Sequence, residues 1–187
     1  MRNVILAFLL GVILIPIAGF LYFHFGHLPV AVADQPFPFE KQIVRVPLQS
    51  RINKEMPGNA PIEVSEANLL AGAKIYREQC SFCHGLMGQP STIAPHMYPS
   101  TPQLWSSHRN GVVGVSDDPP GETYWKVANG IRLTGMPAFG KSLSEAEMWQ
   151  VSLLLANADK PLPDAAKSLV TQPLNLGQRP APVIQSH

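Results

Sequence analysis

The chain's two cysteines stand three positions apart, in Gln79-Cys80-Ser81-Phe82-Cys83-His84-Gly85. Two thiols at that spacing with a histidine behind them could close a disulfide, clip a metal, run a redox dithiol or anchor a cofactor covalently. A structural zinc site takes four ligands, as two Cys pairs or a Cys pair with a spaced His pair. Neither a second Cys pair nor a His-x3–5-His follows here. A disulfide across two intervening residues closes a tiny loop and stabilises little. A thioredoxin-like dithiol wants a βαβ setting, and the surroundings read as helix and loop. Covalent haem attachment uses every residue of the stretch. Both thiols add across the porphyrin's vinyl groups as thioethers, and His84 presents its imidazole to the iron.

Iron in a low-spin electron carrier takes a second axial ligand. Met87, His96, Met97, His108 and Met136 are the candidates, since His24 and His27 lie at a membrane boundary and His187 ends the chain. Met136 sits in Gly130-Ile131-Arg132-Leu133-Thr134-Gly135-Met136-Pro137-Ala138-Phe139. Glycine before it and proline after it define a tight loop that can hold a thioether rigidly. Met136 is therefore the expected ligand. With both axial positions filled, no site is left for O2 or a substrate, so the chemistry is one-electron transfer rather than catalysis. A haem enzyme or gas sensor with a displaceable sixth ligand is the alternative.

Three helices are expected to position these groups. Ser65 caps the first, which runs to Gln79 with Leu69, Gly72, Ala73 and Tyr76 at helical spacing. Residues 121–129 (GETYWKVAN) form the second, stopped by Gly130. Ser144-x-x-Glu147 is a capping box opening the third, which carries Met148, Val151, Leu154 and Leu155 on one face. No run suggests a sheet. About 35 residues of loop separate the first two helices, and a loop of that length inside a compact domain needs something to wrap around. Three short helices build little core unaided. A large apolar cofactor would supply the missing interior.

Outside this region the composition changes. Residues 4–23 (VILAFLLGVILIPIAGFLYF) carry no charge, enough for a helix of about 30 Å. Arg2 precedes the segment and no Lys or Arg follows until Lys41, which places the N-terminus in the cytoplasm and the rest outside. An uncleaved anchor over residues 1–25 is the reading. Its rival is a cleaved signal peptide ending near Ala31-Val32-Ala33, and that too exports the remainder. Residues 26–62 are expected to be a Pro-rich tether, in which 42–48 (QIVRVPL) could make a short extended strand that Pro47 demotes to an edge. Residues 161–187 form a Pro-rich tail. The haem domain occupies 63–160, where 7 Lys and Arg face 9 Asp and Glu. With the whole chain at a formal charge of +1, nothing points to nucleic acid.

Gly72-x-x-x-Tyr76-x-x-x-Cys80-x-x-Cys83-His84-Gly85 resembles the first helix and haem motif of class I c-type cytochromes. The stretch from Gly130 to Phe139 is similar to their distal loop, particularly in cytochrome subunits of cbb3 oxidases. The resemblance covers about half the chain. It implies an all-α fold, three to four helices wrapped round one covalent haem c, here preceded by a single transmembrane helix. It implies Cys80 and Cys83 as thioether anchors and His84 and Met136 as axial ligands. Trp149 resembles the aromatic of the last helix that joins Gly72 and Tyr76 at a close crossing. A proline loop about a dozen residues past the motif supplies the carbonyl that orients the histidine, with Pro95 the best match and Pro90 the alternative. Tyr98, Trp105, Trp125 and Arg132 could line the haem or bond its propionates. The expected partners are redox proteins and the membrane, with no small-molecule substrate. The haem domain would face the periplasm from the bacterial inner membrane, as a shuttle or as a subunit of a respiratory or other oxidoreductase complex.

Overall fold

The chain divides into two compact units, Met1–Val44 and the stretch from Arg45 onward. A computed structural model describes residues 1–108 and 111–174. In the first unit α1 (Arg2–Phe25) is one helix of 24 residues, with Pro16 inside it and none of its residues buried. At 1.5 Å per residue it is about 36 Å long, and by length and composition it can cross a membrane.

The tether contains an unexpected helix, α2 (Glu40–Glu55), where 42–48 had been weighed as a strand. Pro47 lies inside it and removes one amide donor from the ladder without ending it. Ile52, near its end, is fully buried.

In the second unit, α3 (Glu66–Ile75) starts where Ser65 Oγ accepts the Asn68 amide at 3.3 Å. It runs through a π-helical turn, Tyr76–Cys80, into the short α4 (Ser81–His84). Wide turns of this kind insert one extra residue and recur where a helix must aim side chains at a functional site. Past α4 the chain makes a long excursion. Its regular pieces are a 3-10 turn at Ala94–His96 and a two-residue antiparallel ladder pairing β1 (Ser107–His108) with β2 (Val112–Val113). α5 (Pro120–Asn129), α6 (Glu145–Ala156) and α7 (Asp164–Thr171) follow. The Ser144/Glu147 capping box is present at the head of α6. The all-α architecture is as expected.

α3 and α6 cross at Gly72, where an added Cβ would lie 2.3 Å from the Gln150 carbonyl oxygen. That crossing buries Leu69, Ala73 and Tyr76 against Val151, Leu154 and Leu155. The aromatic pairing differs from expectation. Trp149 stacks on Tyr124 of α5 with centroids 4.3 Å apart, while Tyr76 meets Trp105 edge-on at 5.6 Å.

The C-terminal segment, expected to be tail from 161, continues the domain. α7 packs on α3 with Ala166 and Val170 fully buried. Arg77 closes its C-terminal end, donating to the carbonyls of Leu169, Gln172 and Pro173 at 2.7, 2.6 and 2.9 Å. A guanidinium offers five donors in a rigid fork, which suits the unpaired carbonyls at a helix end. Residues 175–187 of the expected tail lie outside the described residues.

Candidate functional site

Cys80 ends the π-helical turn, Cys83 and His84 sit in α4, and all three line one cleft in the second unit. Its other walls come from the 97–104 loop, from Thr123, Lys126 and Val127 of α5, from the 131–139 loop, and from Val151 and Leu155 of α6. The lining is predominantly apolar. The cleft and its open mouth together enclose about 1110 Å³ not filled by protein atoms.

His84 Nδ1 lies 2.8 Å from the Pro102 carbonyl oxygen. A carbonyl only accepts, so Nδ1 carries the proton and Nε2 is left with its lone pair for a metal. Burial holds the imidazole below its ordinary range, with the Pro102 bond pulling the other way. The ring is therefore kept neutral, as a metal ligand must be. Pro95 was expected in this role and does not fill it. It is exposed in the 3-10 turn at Ala94–His96, and Pro90 is exposed as well. The loop returns to the histidine only after that turn, where Gln103 pins it. The Gln103 side chain donates to the Cys83 carbonyl at 3.2 Å and accepts the Ser91 amide at 2.6 Å.

No disulfide joins Cys80 and Cys83. Burial, with Cys83 adding to it, pushes the Cys80 thiol up to about 12. A redox dithiol needs a depressed pKa, so this buried thiol does not suit that chemistry. Behind the motif, the Tyr76 hydroxyl donates to the Gly85 carbonyl at 2.7 Å. Burial holds that phenol far above its usual range, so it stays a donor.

Met136 lines the same cleft from the loop after α5. Gly130 stops α5 with φ +64°, and an added Cβ would lie 2.7 Å from the backbone of Pro137 and Ala138. Only glycine takes that conformation at so close an approach. Thr134 then ties the loop together, donating through Oγ1 to the Ile131 carbonyl at 2.7 Å and accepting the Met136 amide at 3.1 Å. Among the rival ligands only Met97 also lines the cleft, and its sulfur accepts a hydrogen bond from Thr101 at 3.0 Å. His96 is exposed, the His108 ring is bonded to the Gly114 carbonyl, and Met87 packs against the core near α7. Of the residues weighed as haem contacts, Trp125 donates to Glu55 at 3.0 Å, and neither it nor Tyr98, Trp105 or Arg132 lines the cleft.

Pro102, Thr134, Gln103 and Lys126 were not singled out from the sequence. The Thr-Gly-Met-Pro order was a usable signal for Thr134, since a hydroxyl two residues before a loop amide commonly caps it. Lys126 carried no such signal. Its ammonium contacts Glu122 at 2.7 Å and Asp118 at 3.7 Å. The donors gathered in the cleft are two thiols, an imidazole whose Nε2 keeps its lone pair, and thioethers. With apolar walls, that set fits a covalently attached haem.

Residues 67–153 match the family described as cytochrome C oxidase, cbb3-type, subunit III. Among solved structures, a chain of the reducing HAO-like protein complex of Kuenenia stuttgartiensis is similar at 25% identity over 55% of this chain, with a TM-score of 0.41. The match spans 48% of that chain's length. No curated protein matches.

Proposed function

We propose that this chain, whose residues 67–153 match the cbb3-type subunit III family, is a membrane-anchored one-electron carrier of the class I c-type cytochrome kind with a single haem c. The observation that carries this reading is the cleft that gathers Cys80, Cys83, His84 and Met136. When bound, haem c supplies reversible one-electron chemistry between ferric and ferrous iron. The chain's own residues do the rest. Cys80 and Cys83 hold the group covalently, and the Pro102 carbonyl aims the His84 ring. Thr134 holds the loop from which Met136 would ligate the iron. A soft thioether favours ferrous iron, and the apolar walls work in the same direction.

If both axial positions are filled by protein, the reduced protein should show no spectral change when carbon monoxide is added. Rapid, complete carbon monoxide binding would instead identify a haem enzyme or gas sensor with a displaceable ligand.

α1 would anchor the carrier in the bacterial cytoplasmic membrane, with the haem domain on the periplasmic side, as the lysine and arginine distribution favours. Non-globular arms on both sides of the domain, able to lace across neighbouring subunits, would favour a complex subunit. That reason weakens, because parts of both arms fold onto the domain itself. The family's place within an oxidase supports the subunit reading instead. Purification in mild detergent should therefore yield a stable stoichiometric complex, and recovery of the chain alone would make it a free shuttle. Contacts with electron donor and acceptor would be small and transient in either case.

A further inference from the structure

Apart from His84 and the two thiols, Lys126 is the one ionisable residue lining the cleft among the described residues. Its counter-charges, Glu122 and Asp118, are not part of that lining. They hold the ammonium from the side, at 2.7 and 3.7 Å. Glu122 is 9% exposed. Burial raises the Asp118 carboxyl above its usual range, with Lys126 drawing it back down and Glu122 and Asp117 adding to the rise. A cation thus borders the site, and its compensating anions stand further off. An apolar wall position has no packing need for an ammonium, whose desolvation is costly unless it is paired.

We propose that Lys126 sets the reduction potential of the haem held in this cleft, and that Glu122 and Asp118 limit how far its charge raises it. The inference rests on the electron-carrier reading above. Reduction adds one electron to ferric iron and gives ferrous iron, with no bond made or broken. The site loses one positive charge, so a neighbouring cation opposes the oxidised state and favours the reduced one.

The test is redox titration of the full-length protein in detergent, the electron supplied by a mediator dye at an electrode. Lys126→Gln should lower the ratio of reduced to oxidised protein at fixed applied potential roughly tenfold, about 59 mV for one electron. Glu122→Gln frees the cation and should move the ratio the opposite way. Lys126→Arg keeps the charge and should stay near wild type. The opposite signs and the rescue by arginine are what a packing role would not produce. An unchanged potential in Lys126→Gln, or a fall of equal size in Lys126→Arg, overturns the proposal. Failure of the carrier reading would look different: the wild type would show no covalent haem spectrum, or its reduced form would bind carbon monoxide rapidly.

Discussion

Met136→Ala should turn a closed iron site into an open one. The reduced variant should bind carbon monoxide rapidly, and the near-infrared thioether-to-iron charge-transfer band of the oxidised protein should vanish. Its reduction potential should fall by on the order of 0.1–0.2 V, a fraction of the roughly 0.8 V that axial ligands govern. The size of the effect follows from what the alanine removes. No other residue of the 131–139 loop can donate a thioether, and the loop is held closed by Thr134 and by the bonds of Phe139 and Gly140 to the carbonyls of Val127 and Ala128, at 2.9 and 3.1 Å. A frame this well tied would not collapse, and the other thioether lining the cleft, Met97, is engaged by the Thr101 hydroxyl.

Met97 makes the experiment decisive, because it is the second methionine in the cleft. Met97→Leu should leave the charge-transfer band in place and the protein closed to carbon monoxide. Its sulfur is engaged by the Thr101 hydroxyl at 3.0 Å, and nothing of that kind is seen at Met136. If the two variants exchanged phenotypes, Met97 would be the ligand. Ligation by Met136 would then be wrong while the electron-carrier reading still stood.

The residues that come together in the cleft were legible in the sequence wherever local spacing marked them. Cys80, Cys83 and His84 are one turn of chain, and Met136 is bracketed by the glycine and proline that shape its loop. The helices that carry them announce their ends through Ser65, Gly130 and the Ser144/Glu147 box, each a short-range hydrogen-bonding signal. The carbonyl partner of His84 was not legible. The choice among Pro90, Pro95 and Pro102 depends on where the loop turns back, and that is settled by contacts such as Gln103 with Cys83 and Ser91. The two extra helices were missed for a different reason. Proline counts made both flanks read as extended, yet Pro47 is accommodated inside α2 and Pro163 stands directly before α7. A proline just ahead of Asp164, with Ala166, Leu169 and Val170 on one face, was in fact a helix-start signal. Burial of Ile52 and Val170 is tertiary information, and composition does not contain it.

Gly72→Val should strongly destabilise the crossing of α3 and α6. A Cβ at this position would lie 2.3 Å from the Gln150 carbonyl oxygen, 2.7 Å from its carbonyl carbon and 3.2 Å from the Leu154 Cβ. The two closest atoms are backbone in the middle of α6, so no side-chain rotation relieves the clash and the helices must separate. Replacing a helical glycine returns about 1 kcal/mol of intrinsic helix propensity when the new residue is alanine, and less for valine. Overpacking a tight contact costs about 1–3 kcal/mol and occasionally more. Here separation also strips contacts from Ala73, Val151 and Leu154, all fully buried. A net loss of about 3 kcal/mol is expected in guanidinium unfolding followed by far-UV circular dichroism. Gly58→Ala is the control, because an added Cβ there meets nothing within 4 Å, and it should stay near wild type. The damage should also reach the cofactor, since α3 leads directly into Cys80, Cys83 and His84. A Gly72→Val protein that unfolds at the wild-type midpoint would mean that α3 and α6 do not meet closely at this residue, and the cleft they frame would have to be redrawn.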